Sequence, residues 1–238
     1  MRARSQRAPG VTYGLLSLPI WLVLVAGAFA ASVESKDGRI VYKDAEGRAI
    51  ELTDSGHDVN PVLSTDGRQV AFVRTYRSPD WDAFGFTNCS LWVVDITGEN
   101  LRCLCKGQDG DAAIDGDPQG GRENILTDLD LEPLIFSLDG QELFFHSGPS
   151  PLNSTIIAVK LDSGERRYVT YGSLLGIIPR GEYANHLLVS QHRYFLAGGS
   201  YDWIWLIAPD GTEVGPVTDR PGAHGAGIQD FWRLYVEQ

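Results

Sequence analysis

A chain of 238 residues with 43% hydrophobic side chains can bury the core of one domain, and 27 glycines with 12 prolines favour many turns over long helices. The formal charge is -11, and once Arg2, Arg4 and Arg7 at the start are set aside, 31 acidic side chains face only 17 of the 20 basic ones. A surface of that sign repels phosphate backbones, which argues against nucleic acid as a partner and leaves cationic, metal or neutral ligands.

The first element is an apolar run, LLSLPIWLVLVAGAFA, preceded by the three arginines and ending in the small-residue pattern Ala28-Phe29-Ala30. This reads as an export signal covering residues 1–30, cleaved after Ala30, with residues 31–238 as a single domain. The competing expectation is an uncleaved anchor, because the run is only slightly shorter than the ~20 residues that span a bilayer. Pro19 and the small-residue end favour cleavage. The body is expected in the periplasm or outside the cell, touching a membrane only through that segment if it is retained.

Next comes RIVYKDAEGRAIELT, a hairpin over residues 39–53. A longer unit follows over residues 59–105, in which VNPVLS and RQVAFVR are joined by the tight STDG turn, and SLWVVD and LRCLC by TGEN. The same pattern returns as EPLIFSLDGQELFFHS with TIIAVKLDSGERRYVT. A third copy is worn at its start, HLLVSQHRYFLAG, and clear at its end, DWIWLIAPDGTEVGPVT. The runs QVAFV, LWVVD, ELFF, IIAVKL and WIWLI are too short for helices and apolar on both faces, as a strand wedged between neighbouring sheets must be. The last nine residues, within GAGIQDFWRLYVEQ, are read as one further strand. Half a unit at each end suggests that the terminal strands share one blade. The expectation is an all-β fold: a small β-propeller of four-stranded antiparallel blades, four in number, or five if residues 106–130 hide strands, closed by terminal strands.

The residues Pro61, Ser64-Thr65-Asp66-Gly67, Ala71-Phe72, Leu91-Trp92-Val93-Val94-Asp95 and Gly98-Glu99-Asn100-Leu101 carry a resemblance to a known family. Pro133, Ser137-Leu138-Asp139-Gly140 and Leu143-Phe144-Phe145 repeat its first part; Asp162-Ser163-Gly164 and Asp210-Gly211 repeat its second. The unit resembles the β-propeller repeat of the TolB family, the periplasmic component of the Tol-Pal system, and the propeller domains of prolyl oligopeptidase-type peptidases. The resemblance implies a propeller. It says little about function, because such repeats serve scaffolds, binding proteins and enzyme accessory domains alike.

In a four-stranded meander, first-to-second and third-to-fourth turns lie at one end of the sheet, and second-to-third turns and inter-unit connections at the other. The first class is uniformly tight here, whereas the second holds the long segments 75–89, 106–130, 147–154 and 171–185. Long irregular loops in compact domains are often functional. The segment TYRSPDWDAFGFTN offers Tyr76, Arg77, Trp81, Asp82, Phe84 and Phe86 as candidate binding residues, a mix of rigid aromatic and polar groups suited to recognition, or simply rings packed over the strands below. Asp109, Asp111, Asp115 and Asp117 offer enough oxygens for calcium, although no glutamate stands at the twelfth position an EF-hand requires. His186 and His192 are a possible metal pair across a hairpin. Cys89, Cys103 and Cys105 permit one disulfide with one odd thiol.

No Gly-x-Ser-x-Gly elbow, His-Glu-x-x-His or phosphate loop occurs. The expected function is therefore an exported, non-enzymatic propeller that binds an envelope protein or peptide through its loop-rich face. A carbohydrate or other small-ligand binder and a propeller-type hydrolase or lyase are the alternatives.

Overall fold

The computed structural model describes residues 30–76, 88–106, 134–147, 155–217 and 226–237. Among these described residues, fifteen strands form four antiparallel sheets, each a meander of strands consecutive in sequence. The first sheet holds β1 (Ser32–Lys36), β2 (Arg39–Lys43) and β3 (Ala49–Glu51). The second holds β4 (Asp58–Leu63), β5 (Gln69–Tyr76), β6 (Asn88–Asp95) and β7 (Arg102–Lys106). The third holds β8 (Ile135–Phe136), β9 (Glu142–Ser147), β10 (Thr155–Lys160) and β11 (Arg166–Tyr171), and the fourth β12 (Ser173–Ile177), β13 (Leu187–Tyr194), β14 (Ser200–Ile207) and β15 (Glu213–Pro216). A helix, α1 (Ala226–Tyr235), follows.

The repeated Ser-x-Asp-Gly turn has one chemistry in both complete copies. Ser64 Oγ donates to Asp66 Oδ1 at 2.7 Å and accepts from the backbone N–H groups of Arg68 and Gln69 at 3.1 and 2.9 Å. Ser137 Oγ donates to Asp139 at 2.6 Å and accepts from Gln141 and Glu142 at 3.1 and 2.9 Å. Gly67 and Gly140 close these turns at φ values of 70° and 68°, a region that costs other residues strain. The serine and backbone hydrogen bonds hold each Asp carboxyl below the usual carboxylate range.

Third-to-fourth turns repeat in a second way. A Cβ added to Gly164 would lie 2.9 Å from the Leu104 carbonyl oxygen of β7, and one added to Gly211 would lie 2.5 Å from the Val169 carbonyl oxygen of β11. Each of these turns therefore seats its glycine on the fourth strand of the preceding sheet. Replacing Gly211 by Ala combines a φ of 93° with that clash. Strain of this kind costs roughly 1–3 kcal/mol, so thermal unfolding of the Ala variant should begin several degrees below that of the native chain. An unchanged melting curve would show that this contact does not set the spacing of the sheets.

The sheets pack in sequence order. Ile40, Tyr42, Val70, Phe72 and Val94 join the first sheet to the second; Val73, Leu91, Phe145 and Ile157 join the second to the third; Phe144, Ile156, Leu174 and Val189 join the third to the fourth. No hydrophobic cluster joins the fourth sheet to the first among the described residues. Instead Ile178, Leu188, Ile204 and Leu206 on the outer face of the fourth sheet pack against Phe231 and Val236. The outer face of the first sheet is charged, with ion pairs Arg39–Glu51 and Lys43–Glu34 at 3.2 and 2.8 Å. Among the described residues one end of the stack is thus finished by a helix and the other by exposed charge.

This corrects two expectations. The final segment is not a strand that closes a ring: Ile228, Phe231, Trp232 and Tyr235 recur at helical spacing, and the segment folds as α1. Residues 171–185 are not one long loop, because they contain β12, whose pairing to β13 shifts register between Leu174 and Gly176. The remaining connection, residues 178–186, is first-to-second and belongs to the tight-turn end. Cys105 is buried in the core between the second and third sheets, and burial pushes its thiol up to about 12, out of reach of ordinary thiolate chemistry.

Candidate functional site

The strands deliver two kinds of end. At the tight-turn end, neighbouring turns are stitched together: Thr65 Oγ1 donates to the Ser137 carbonyl at 3.3 Å, and the Leu138 N–H donates to Asn185 Oδ1 at 2.9 Å. A cavity of about 530 Å³ opens there, lined in part by Asp139, Glu142, Lys160 and Asp162. Its charges are largely committed within the chain, Glu142 to Arg167 at 2.6 Å and Lys160 to Glu165 at 2.6 Å. That end is a structural seam.

The opposite end carries a layer of polar groups sunk between the sheets. Between the first and second, Asp58 is fully buried and receives both Nε and Nη2 of Arg74 at 2.6 and 3.0 Å. The guanidinium lies 4.4 Å from the centre of the Trp92 ring. The Asp58 N–H donates to the Gly38 carbonyl at 2.9 Å, and Ser35 Oγ donates to the Asp58 carbonyl at 2.6 Å, so the pair also ties the first sheet to the second.

Between the third and fourth sheets lies a cavity of about 380 Å³, lined by Tyr168, Thr170, Tyr171, Gln191, Arg193 and Glu213 among others. That volume suits a small ligand or a few residues of a peptide. Gln191 is buried and donates to Thr170 Oγ1 at 3.0 Å and to the Tyr171 carbonyl at 2.7 Å. Its own Oε1 accepts from Arg193 Nε at 2.9 Å, while Arg193 also pairs with Glu213. The guanidinium sits 3.6 Å from the centre of the Trp205 ring. The result is a fixed polar rail over an aromatic floor, with a planar donor and a carboxylate presented side by side. The indole N–H groups of Trp203 and Trp205 are buried without partners among the described residues.

His146 belongs to the same interface. Its Nε2 accepts the Leu174 N–H at 2.6 Å, which places the proton on Nδ1, a buried donor without a partner among the described residues. Burial lowers its pKa below the ordinary 6.5. As pH falls, an unfolded chain therefore takes up the second imidazole proton, which in the fold would have to go onto Nε2, before the folded one does, so the His146 contribution to stability is full above about pH 6.5 and declines below it. Denaturant midpoints measured at pH 7.5 and 5.5 should fall toward acid, and His146→Gln should flatten that change. An equal decline in the variant would assign the acid sensitivity to other groups.

The β13–β14 turn stands at this end too. Tyr194, Phe195 and Leu196 are exposed, Leu196 fully so. Phe195 packs on Tyr201 at 4.5 Å, and the ladder continues through Trp203 at 5.3 Å and Trp205 at 6.1 Å.

Of the candidate residues read from the sequence, Tyr76 is the last residue of β5. Arg77, Trp81, Asp82, Phe84 and Phe86 lie outside the described residues, as do Asp109, Asp111, Asp115 and Asp117 and the whole of residues 1–29. Tyr76 and Asn88, which bracket the first of these segments, pair with each other at the same end as the β13–β14 turn. The histidine pair is corrected: His186 precedes β13 and His192 lies six residues along it, roughly 20 Å away at strand rise. His192 instead pairs with Asp202 at 2.8 Å. Among the described residues no group of three or more His, Cys, Asp and Glu side chains could hold a metal ion. Gln191, Arg193, Trp205 and Glu213 were missed. Their only trace in the sequence is the polar Gln-His-Arg interruption of an otherwise apolar β13.

No protein-family model matches the chain, and no curated protein matches it. Solved structures do. TolB from Acinetobacter baumannii aligns at 13% identity over 79% of this chain and 41% of its own, with a TM-score of 0.45. Dipeptidyl peptidase 4 from Porphyromonas gingivalis aligns at 12% over 80% of this chain and 31% of its own, with a TM-score of 0.46. The β-propeller domain of the Trilobed protease from Pyrococcus furiosus aligns at 15% over 74% of this chain and 47% of its own, with a TM-score of 0.45. This chain is similar to TolB-like propellers and spans less than half the length of each of these three. The four-sheet arrangement itself rests on strand pairing within the chain.

Proposed function

We propose that the chain is an exported, non-enzymatic propeller-type scaffold that captures an envelope protein or peptide through the end bearing its second-to-third turns. The observation that carries this reading is the apex of the β13–β14 turn, where Tyr194, Phe195 and a fully exposed Leu196 stand in water beside a fixed polar rail. Large apolar groups at a hairpin tip contribute binding energy only when a partner covers them. The segment 77–87, with Trp81 and Phe84, joins strands at the same end and is proposed as a second part of that surface. Calcium at Asp109, Asp111, Asp115 and Asp117 remains a separate proposal. Export by residues 1–30 is proposed on the arginine-rich, apolar, small-residue pattern. No helix among the described residues is long and apolar enough to cross a membrane.

A photo-crosslinking amino acid placed at position 196 should give a discrete adduct in envelope extracts, and the same group at position 99, at the tight-turn end, should give none. Alanine at both Trp81 and Phe84 should weaken capture by ~30-fold or more, the effect of losing a hot-spot ring. Equal labelling from both ends would overturn the reading. The cavity beside Arg193 and Glu213 supports a second reading, a carbohydrate or other neutral small ligand, because a neutralised donor and acceptor pair over an aromatic floor suits hydroxyl groups better than net charge.

A further inference from the structure

One arrangement recurs at two of the sheet interfaces and is finished differently in each. Arg74 of β5 lies over the Trp92 ring of β6, and Arg193 of β13 lies over the Trp205 ring of β14, so each time a second-strand guanidinium caps a third-strand indole. At the first interface Asp58 of β4 stands opposite Arg74 in register and, fully buried, fills the fork of its guanidinium. At the other, β12 begins at Ser173, opposite Ser190, so none of its residues stands opposite Arg193, and the cavity of about 380 Å³ opens there instead. The chain turns away at Gly172, where an added Cβ would lie 2.4 Å from the Ser190 carbonyl oxygen. A side chain at that position therefore cannot refill the space.

The cavity draws its lining from β11, Gly172, β13 and β15. Beyond β15 the described chain ends at Val217, which is already held on the opposite, outer face of the fourth sheet. Its N–H donates to the Ile204 carbonyl at 2.8 Å and its side chain joins the cluster around Phe231. Within the cavity the polar groups are a donor beside an acceptor, both held in place. Arg193 commits Nε and Nη2 to Gln191 Oε1 and to Glu213 Oε1, which leaves Nη1 without an acceptor among the described residues. Glu213, about half exposed, keeps Oε2 outside that pair. Tyr168 and Tyr171, edge to face at 5.2 Å, supply an aromatic wall.

We infer that this cavity binds a neutral pyranose sugar, and that a vicinal pair of ring hydroxyls bridges Arg193 and Glu213. One oxygen accepts from the guanidinium, and the neighbouring hydroxyl donates to the carboxylate. The inference rests on the small-ligand reading of the cavity and names its ligand class. Charge decides against the nearest rivals. A second carboxylate, the group that fills the equivalent place beside Arg74, would lie against Glu213, and an amine would lie against Arg193. A pyranose carries hydroxyls around its rim and apolar C–H groups on its faces, which suits a polar pair set beside tyrosine rings. The volume is at the small end of the ~300–1,000 Å³ of ligand pockets, sized for a sugar ring and not for a folded partner.

The test titrates the full chain with methyl glucoside, methyl galactoside and methyl mannoside, followed by saturation-transfer NMR. At least one should bind. Its analogue lacking the central ring hydroxyl, which has no vicinal pair, should bind at least ~10-fold more weakly, as should the native sugar to Glu213→Gln, which removes the charge and keeps the shape. A melting curve checks that the variant folds. The inference is overturned if none of the three sugars binds, which means that water or the chain itself fills the cavity, or if trialanine amide binds more tightly than every sugar. Undiminished binding to a folded Glu213→Gln variant also overturns it. Equal binding of the analogue overturns the hydroxyl bridge while leaving the small-ligand reading intact. None of these outcomes bears on crosslinking from position 196, so the capture reading stands or falls separately.

Discussion

Arg74→Ala is expected to lower stability by ~3–5 kcal/mol, because it leaves the fully buried Asp58 carboxylate without its partner. That is a large share of the ~5–15 kcal/mol that holds a typical domain together. The midpoint of thermal unfolding should drop by roughly 10 °C or more. The same change removes the guanidinium from the Trp92 and Phe72 rings, at 4.4 and 5.7 Å, so packing is lost along with charge. The paired substitution Asp58→Leu with Arg74→Met should recover most of the loss, since replacing both members of a buried pair by apolar groups is commonly neutral or favourable. If the double variant is no better than Arg74→Ala, the pair is needed for the join between the first two sheets and not merely tolerated there. Comparing melting curves of the single and double variants decides between these outcomes.

The second large effect is expected at the helical cap. Phe231 is buried against Ile178, Leu188, Ile204 and Leu206, and its ring contacts those of Tyr183 and Tyr235 at 6.1 and 5.1 Å. Phe231→Ala should cost ~3–5 kcal/mol. A deeper consequence follows if α1 detaches: the outer face of the fourth sheet would present a continuous apolar surface to water. The variant should therefore bind a hydrophobic dye and associate at concentrations where the native chain does not, as size-exclusion chromatography would show. A destabilised variant that neither binds dye nor associates would mean that α1 stays docked without its main anchor.

Much of the repeat was legible because its turns have an obligatory chemistry. Ser64-x-Asp66-Gly67 and Ser137-x-Asp139-Gly140 can be read as turns from residue type alone, since serine, aspartate and a left-handed glycine each satisfy a specific backbone need. The unit at Ser173–Ile177 was hidden by its irregular register and by the charged, glycine-containing connection after it, which mimics a plain loop. The helix was misread because Phe231, Trp232, Leu234, Tyr235 and Val236 are aromatic and aliphatic residues that favour strands; their spacing, not their type, marks α1. The rail from Thr170 through Gln191 and Arg193 to Glu213 could not be read at all, since it joins three strands whose neighbours are fixed only by folding. Segments 77–87 and 107–133, which supplied the sequence-based binding and calcium candidates, lie outside the described residues.

Among the described residues each sheet packs only against its neighbours in sequence, and that order has an energetic consequence. A closed ring must lose two interfaces before any blade can leave, whereas a row loses only one when it yields at an end. Unfolding of this molecule can therefore proceed by fraying, inward from the three-stranded sheet at one side and from the helix at the other. Amide protection should follow the same gradient, deepest in β5, β6, β9 and β10 and shallowest in β1 and α1.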